Sequence, residues 1–200
     1  AFSWTTAEAD GPGVYTITVR VTDDGPGMLD ATESFTVTVD EDNTAPTLAA
    51  LADQIVTEGV TVLVTASATD TDLPLQTLTY SLDAGAPTGA TIDPVSGAFS
   101  WTTAEADGPG VYTITVRVTD DGPGMLDATE SFTITVDEGN VAPALAAIAD
   151  QTVTEGATVL VTAIATDTDL PVQTLTYSLD AGAPTGASID PATGEFSWTT

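Results

Sequence analysis

Hydrophobic and polar residues alternate along many short segments of this chain. In Val111–Val118, the residues Tyr112, Ile114, Val116 and Val118 fall on one face of an extended segment and mostly polar residues fall on the other. Such alternation is typical of a half-buried β-strand. The same alternation recurs in 132–136, 158–166, 175–179 and 196–198. No segment has a helical spacing of hydrophobic residues, so the pattern predicts an all-β protein.

Turn-forming residues separate these segments. Residues 107–110 and 121–124 both read Asp-Gly-Pro-Gly, and residues 93–97 read Asp-Pro-Val-Ser-Gly. Proline fixes φ, glycine allows positive φ, and Asp side chains accept hydrogen bonds from the turn backbone. We therefore expect about seven short antiparallel strands in each folding unit, with Trp101 as a core residue.

The sequence repeats itself with an offset of 97 residues. Residues 1–103 match residues 98–200 with 13 substitutions. A period of 97 is too long for a solenoid unit, and it fits a self-contained β-sandwich of about 100 residues. The prediction is a tandem array of immunoglobulin-like sandwiches.

Acidic, proline-containing linkers mark the predicted repeat boundaries. They lie at 40–46 and 137–143, where a strand ends and Pro46 or Pro143 stops further pairing. The predicted units are the C-terminal part of one repeat (1–43), a complete repeat (44–140) and the N-terminal part of a third (141–200). We expect the natural chain to continue in both directions.

The charge of the chain is strongly negative. It has 2 Lys plus Arg against 30 Asp plus Glu, for a formal charge of -28. Such a chain repels nucleic acid and anionic lipid. No apolar run is long enough to span a membrane, and cysteine is absent. The counter-charge has to come from solvent, and divalent cations such as Ca²⁺ suit carboxylate ligands.

The residue types present leave little catalytic chemistry. The chain has no His, Cys or Lys, which excludes Ser-His-Asp and Cys-His arrangements, Schiff-base lysines and zinc sites of imidazole or thiolate. A pair of carboxylates could serve a glycosidase, but nearly every acid here recurs in the next copy. We therefore expect no enzyme. The two basic residues, Arg20 and Arg117, are expected to pair with nearby acids on the sheet face.

Several motifs together resemble the cadherin-like and dystroglycan-type immunoglobulin-like repeats of very large bacterial and archaeal surface proteins. The matching segments are 105–112, 149–156, 165–169, 175–186 and 189–198. The resemblance implies a sandwich of two antiparallel sheets. It also implies calcium ions held where consecutive repeats meet.

The resemblance assigns the calcium to specific acidic positions. Two Asp-x-Asp pairs, two Thr-Asp-Asp-Gly turns, three glutamates and the linkers match the cadherin pattern. The implied ligands are Glu8, Asp23, Asp40, Asp42, Asn43, Glu58, Asp70, Asp72, Glu105, Asp120, Asp137, Asn140, Asp167 and Asp169. Asp42 and Asn43 stand in swapped order relative to that pattern, and Gly139 replaces an acid. We therefore expect one or two ions per junction rather than three.

Two alternatives stay open on the sequence alone. The acids could be a solvated surface without a metal, and the repeats could form a carbohydrate- or protein-binding module rather than a spacer. The hypothesis the sequence favours is an extracellular spacer in a fibre, filament or giant adhesin, in contact with neighbouring repeats and assembling as a homopolymer or filament. A buried Trp101 would favour the spacer, whereas an exposed Trp101 in a groove would favour ligand binding.

Overall fold

A computed structural model describes all 200 residues, and its regular secondary structure is almost all β-strand. Its only helices are two short 3₁₀ helices, Glu8–Asp10 and Glu105–Asp107. The strands before the second linker are β1 Gly13–Thr22, β2 Asp30–Val39, β3 Thr47–Leu48, β4 Gln54–Thr57, β5 Thr61–Thr65, β6 Ala68–Thr69, β7 Thr79–Leu82, β8 Thr91–Ile92, β9 Ala98–Thr102, β10 Gly110–Thr119 and β11 Asp127–Asp137. Those after it are β12 Ala144–Leu145, β13 Thr158–Thr162, β14 Ala165–Thr166, β15 Ser188–Ile189 and β16 Glu195–Thr199. The all-β prediction is confirmed.

The strands of the span 44–140 form two main sheets. One has the strand order β4-β11-β10-β7 and the other β5-β9-β8, and β3 pairs separately with β6. The apolar face predicted for β10 is correct, since Ile114, Val116 and Val118 are completely buried. Phe99 packs edge-to-face against Phe132 with ring centroids 5.6 Å apart. Alternation of period two thus places one face of each strand in a shared core.

The chain divides into two compact units. The first comprises 1–54, 61–102 and 112–134, and the second comprises 55–60, 103–111 and 135–200. Within the first, β1 and β2 form a hairpin in register from Gly13↔Val39 to Thr22↔Asp30. Within the second, β16 pairs antiparallel with both β13 and β15.

One predicted strand is wrong. Residues 175–179 are not a strand in the structure, although they copy the sequence of β7 and its preceding residue. In the middle of the chain β7 pairs with β10, with Val116 opposite Leu82 and Thr119 opposite Thr79. No strand among these 200 residues pairs with 175–179, although the Tyr177 N–H donates to the carbonyl of Pro191 at 2.9 Å. Alternation therefore indicates a segment that is able to form a strand, and the segment becomes a strand only where a partner strand pairs with it.

Both arginines are held in ion pairs on strands. Arg117 donates to both carboxylate oxygens of Asp83 at 2.8 Å and also binds Asp127. Arg20 binds Asp30. The predicted structural role is confirmed, and both positive charges are already engaged.

Candidate metal centres at the linkers

The structure gathers three carboxylates at each linker. Cluster 1 is Glu8, Glu41 and Asp72, and cluster 2 is Glu58, Glu105 and Glu138. In each cluster one oxygen from every residue lies within 4.8 Å of the others. Like charges at this spacing repel unless a proton or a cation lies between them. Each cluster falls within one compact unit.

Cluster 1 is held in place by backbone hydrogen bonds. Glu8, in the first 3₁₀ helix, accepts the backbone N–H of Leu73 at 2.9 Å. Asp72 lies just after β6 and accepts the backbone N–H of Thr44 at 2.7 Å, while its own N–H donates to Asp70 at 2.9 Å. The Asp-x-Asp motif is therefore a turn in which the first aspartate orients the second.

A network of amides extends cluster 1 on one side. The Asn43 amide donates to both oxygens of Asp120, at 3.1 and 3.2 Å. Gln76 donates to Asn43 and, at 3.1 Å, to Asp72. A Cβ at Gly122 would lie 1.9 Å from the Asn43 side-chain oxygen. Glycine in this turn therefore makes room for the network.

Cluster 2 presents a glutamate in a cradle of two glycines. Glu58 accepts the backbone N–H of Gly139. A Cβ at Gly108 would lie 2.1 Å from Oε2 of Glu58, and one at Gly139 would lie 2.7 Å from Oε1. Glu105 accepts the N–H of Leu170 at 2.9 Å, as Glu8 does from Leu73. Side chains larger than hydrogen would push Glu58 out of the cluster.

Asp169, on the other side of the linker, lies near cluster 2, since its charge adds to the raised pKa of Glu138. It accepts the N–H of Val141 at 2.9 Å through Oδ2, and its own N–H donates to Asp167 at 3.1 Å. The residue is only 2% exposed, and its other oxygen, Oδ1, is buried with no hydrogen-bond partner. Buried polar atoms in folded proteins almost always have a partner. An oxygen of this kind is an available ligand.

Orphaned oxygens of this kind concentrate at the two clusters. Both carboxylate oxygens of Glu41 and of Glu138, Oε2 of Glu58 and Oδ2 of Asp70 are also buried without a partner. A carboxylate without a proton can only accept, so additional carboxylates cannot satisfy it. Hard divalent cations are bound by sets of oxygen ligands. The residues present therefore fit such an ion.

The electrostatics of the clusters agree with this fit. Burial raises the pKa of Glu41, and the nearby Glu8 and Asp72 raise it further. Burial likewise raises the pKa of Glu138, with added repulsion from Glu58 and Glu105. Because Arg20 and Arg117 are paired elsewhere and lysine is absent, no basic side chain offsets this charge.

Most of the ligands expected from the sequence lie at a linker. Glu8, Glu58, Asp72 and Glu105 belong to the two trios. Placed beside them by the hydrogen bonds above are Asn43, Asp70, Asp120, Asp167 and Asp169. Asn140 accepts a hydrogen bond from Gln173 at 2.8 Å, as Asn43 does from Gln76.

Four other expected ligands are not brought into these clusters. The side chains of Asp40, Asp42 and Asp137 are exposed. The backbone carbonyl of Asp137 accepts the N–H of Glu58 at 3.1 Å. Asp23 accepts the N–H groups of Gly25 and Leu29 within its own turn. A linker in extended conformation points alternate side chains to opposite sides, so neighbouring acids cannot all face one ion.

One glutamate of each cluster, Glu41 or Glu138, is not among the ligands expected from the sequence. Glu41 and Glu138 occupy the same linker position 97 residues apart, each directly after an expected ligand. The cadherin pattern specifies no acid at this position, so the resemblance points to the flanking aspartates instead. The alternation of side chains along the linker, counted from the buried Val136, would have pointed to Glu138.

Trp101 is buried, with only 1% of its surface exposed. Its ring packs against Tyr112 with centroids 4.8 Å apart. The tryptophan that could have formed a ligand platform is therefore a core residue, and the observation favours the spacer over the binding module.

The fold defines a class, that of tandem immunoglobulin-like and cadherin-like β-sandwich repeats. The family model described as "Putative Ig domain" (He_PIG) matches residues 45–137 and 142–200, and the chain belongs to this family. A search of curated proteins found no match.

Solved cadherin structures are similar in fold. Mouse cadherin-23 EC22-24 aligns with a TM-score of 0.57 and 21% identity, covering 97% of this chain and 66% of that one. Human CDH23 EC21-23 aligns with a TM-score of 0.52 and 25% identity, covering 91% and 65%. The chain spans 35% to 52% of the length of the first protocadherin structures that it matches. The structure contains no helix with the length and apolar character needed to cross a membrane.

Proposed function

We propose that the chain is a structural spacer of an extracellular fibre, filament or giant adhesin, and that calcium bound at each linker stiffens it. The proposed repeats are 1–43, 44–140 and 141–200, with the linkers as their junctions. The observation that carries the calcium proposal is the set of buried carboxylate oxygens without partners at both linkers, above all Oδ1 of Asp169.

The proposed ligands come from both sides of each linker. At the second linker they are Glu58, Glu105, Glu138 and Asp169, and at the first they include Glu8, Glu41 and Asp72. Calcium, when bound, would supply two positive charges to carboxylates that otherwise repel one another. A linker whose own glutamate is a ligand would lose freedom to bend on binding. Stiffening is the proposed consequence.

An extracellular location follows from the proposed ion. Calcium sites in extracellular modules are commonly tuned to 10⁻⁴–10⁻³ M. A chain with formal charge -28 also stays soluble when its repeats are crowded. Neighbouring repeats of the same protein are the proposed partners.

Calorimetric titration of the metal-free protein tests the proposal. We expect calcium to bind with micromolar to millimolar affinity and to raise the melting temperature, with magnesium much weaker because it prefers a compact octahedral site. Identical melting curves in calcium and in chelator would remove the metal from the proposed function. For variants that replace a ligand glutamate by glutamine, Glu33→Gln is the charge-matched control, because it removes an exposed strand carboxylate outside the clusters.

A further inference from the structure

Two side-chain amides join two buried aspartates at the first linker. Asp72 and Asp120 are 2% and 3% exposed. Asn43 donates to both carboxylate oxygens of Asp120, at 3.1 and 3.2 Å. Gln76 donates to the side-chain oxygen of Asn43 and, at 3.1 Å, to Oδ2 of Asp72. We call Asn43 and Gln76 the amide bridge, and it connects two carboxylates without supplying a positive charge.

The aspartates fix the orientation of the amide bridge. A carboxylate without a proton only accepts hydrogen bonds, so Asn43 has to turn its NH2 group toward Asp120. The oxygen of Asn43 then faces Gln76, which has to offer its own NH2 group in turn. If either amide were reversed, two acceptors would face each other. The order of donors and acceptors is therefore set along the whole bridge.

The amide bridge helps to satisfy these two aspartates, whereas a carboxylate beside them stays unsatisfied. Asp120 also accepts two N–H groups of its own turn, both at 3.1 Å. Thr44 donates to both oxygens of Asp72, one through its backbone N–H and the other through its hydroxyl. Both oxygens of Glu41, by contrast, are buried without a partner. The need for a cation is therefore at Glu41 and not between Asp72 and Asp120.

The second linker repeats the contact between the amide bridge and its first aspartate. Asn140, Gln173 and Asp169 lie 97 residues after the three corresponding residues of the first linker. Gln173 donates to the side-chain oxygen of Asn140 at 2.8 Å and to Oδ2 of Asp169 at 3.1 Å. Both linkers thus form the same amide contact, so the bridge is a property of the repeat.

We infer that Asn43 and Gln76 determine how many cations the first linker binds, because the amide bridge occupies the place of a second ion between Asp72 and Asp120. The inference rests on the proposed function, since the first ion is the one proposed at cluster 1. A carboxylate in place of the Asn43 amide would remove the donors and add two ligand oxygens. Gln76 could then rotate its amide and present its carbonyl oxygen, which is also a calcium ligand.

Calorimetric titration of Asn43→Asp with calcium tests the inference. The variant should bind one more calcium ion per chain than the parent. In chelator it should melt at a lower temperature than the parent, because the new charge repels Asp120. Calcium should then raise its melting temperature by several degrees more than it raises that of the parent. Gln54→Glu, on β4, is the charge-matched control, because the Gln54 amide donates to the Ala52 carbonyl away from the bridge.

Asn43→Ala distinguishes this role from a merely structural one. It removes the donors of the bridge without adding a ligand, so it should lower the melting temperature in chelator and calcium should not restore the loss. The number of bound ions should equal that of the parent. If Asn43→Asp also binds no more ions than the parent, or if Gln54→Glu gains an ion as well, the inference is wrong.

Hydrogen exchange of the Asn43 side-chain amide, followed by NMR, gives a second readout in the parent. The amide should be equally protected in chelator and in saturating calcium, because the bridge stays in place when an ion binds at cluster 1. Loss of protection in calcium would overturn the inference, since the ion would then have displaced the bridge. A parent that binds no calcium would instead contradict the proposed function, and a gain of one ion in Asn43→Asp would still support the inference.

Discussion

The two linker clusters have nearly the same sequence and show different halves of one arrangement. At the first linker Asn43 contacts Asp120, on the side that follows the linker. At the second linker Glu58 reaches Gly139 from the side that precedes it. The positions 97 residues after Asp120 and 97 residues before Glu58 would complete the other halves, and both fall outside residues 1–200. Superimposed by the period of 97, the clusters define a fuller set of ligands than either one shows.

The two linkers differ at two positions, Asp42 against Gly139 and Thr44 against Val141, and only the first difference changes the charge. The exposed Asp42 adds repulsion to Glu41, whereas Gly139 leaves room for Glu58 and donates its N–H to it. The same linker position can therefore hold either a charge or a close backbone approach. We therefore expect the clusters to bind calcium with different affinities.

Removing calcium should have the largest effect on the protein. At a calcium concentration about 100-fold above Kd, binding to the folded state alone contributes about 2.7 kcal/mol per site. For a chain of this size that corresponds to roughly 5 to 10 °C in melting temperature. Calorimetry should resolve at least two ions of unequal affinity per chain. A single ion per chain would show that only one cluster is a site.

Replacing the central glutamates should separate the two clusters. Glu41→Gln and Glu138→Gln each remove one ligand, and each should weaken calcium binding at its own cluster about tenfold, or about 1.4 kcal/mol. In chelator the same variants should melt at higher temperature than the parent, because repulsion with the neighbouring carboxylates is relieved. If both variants weaken the same calcium-binding step in the calorimetric titration, the clusters are not independent.

The linker position occupied by Asp42 or Gly139 allows a direct exchange. Gly139→Ala places a Cβ against Glu58 and should weaken calcium binding at cluster 2, by about 1 kcal/mol. Gly139→Asp causes the same displacement and adds a carboxylate, as in the first linker, so its loss should be smaller. Equal losses measured by calorimetric titration would mean that the acid at position 42 contributes no binding.

The strands and the location of the candidate site at the linkers could be predicted from the sequence. The identity of the linker glutamates in the two clusters could not. Period-two alternation identified the buried face of β10, because burial is decided strand by strand. It failed at 175–179, where pairing depends on a distant strand. The Asp-x-Asp pairs were found because their geometry is local. Glu138 and the glycine cradle were missed, because which linker side chain turns inward depends on Gly108 and Gly139 leaving space for Glu58.

The smallest predicted effect is the pH dependence of stability without metal, and it follows from the linker glutamates. The pKa of Glu41 and of Glu138 is raised above the ordinary 4.5, so the folded state holds their protons more tightly than the unfolded chain. Their contribution is complete below pH 4.5 and is lost as the pH rises through the folded pKa values. In chelator, stability should therefore increase on acidification from pH 7.

The increase should stop at lower pH. The pKa values of Asp83 and Asp93 are lowered from 3.8, the first by Arg117 and the second by hydrogen bonds from Ser96 and Val95. Their stabilisation is lost as the pH falls through those lowered values. The free energy of unfolding, measured with urea at a series of pH values, should therefore show a maximum near pH 4.

The double variant Glu41→Gln/Glu138→Gln separates the effect of the clusters from the general repulsion of -28 charges. It should show a weaker rise between pH 7 and 4.5, and an identical rise would place the effect elsewhere. With calcium in excess the slope should reverse in the parent, because protons then compete with the ion for the same oxygens.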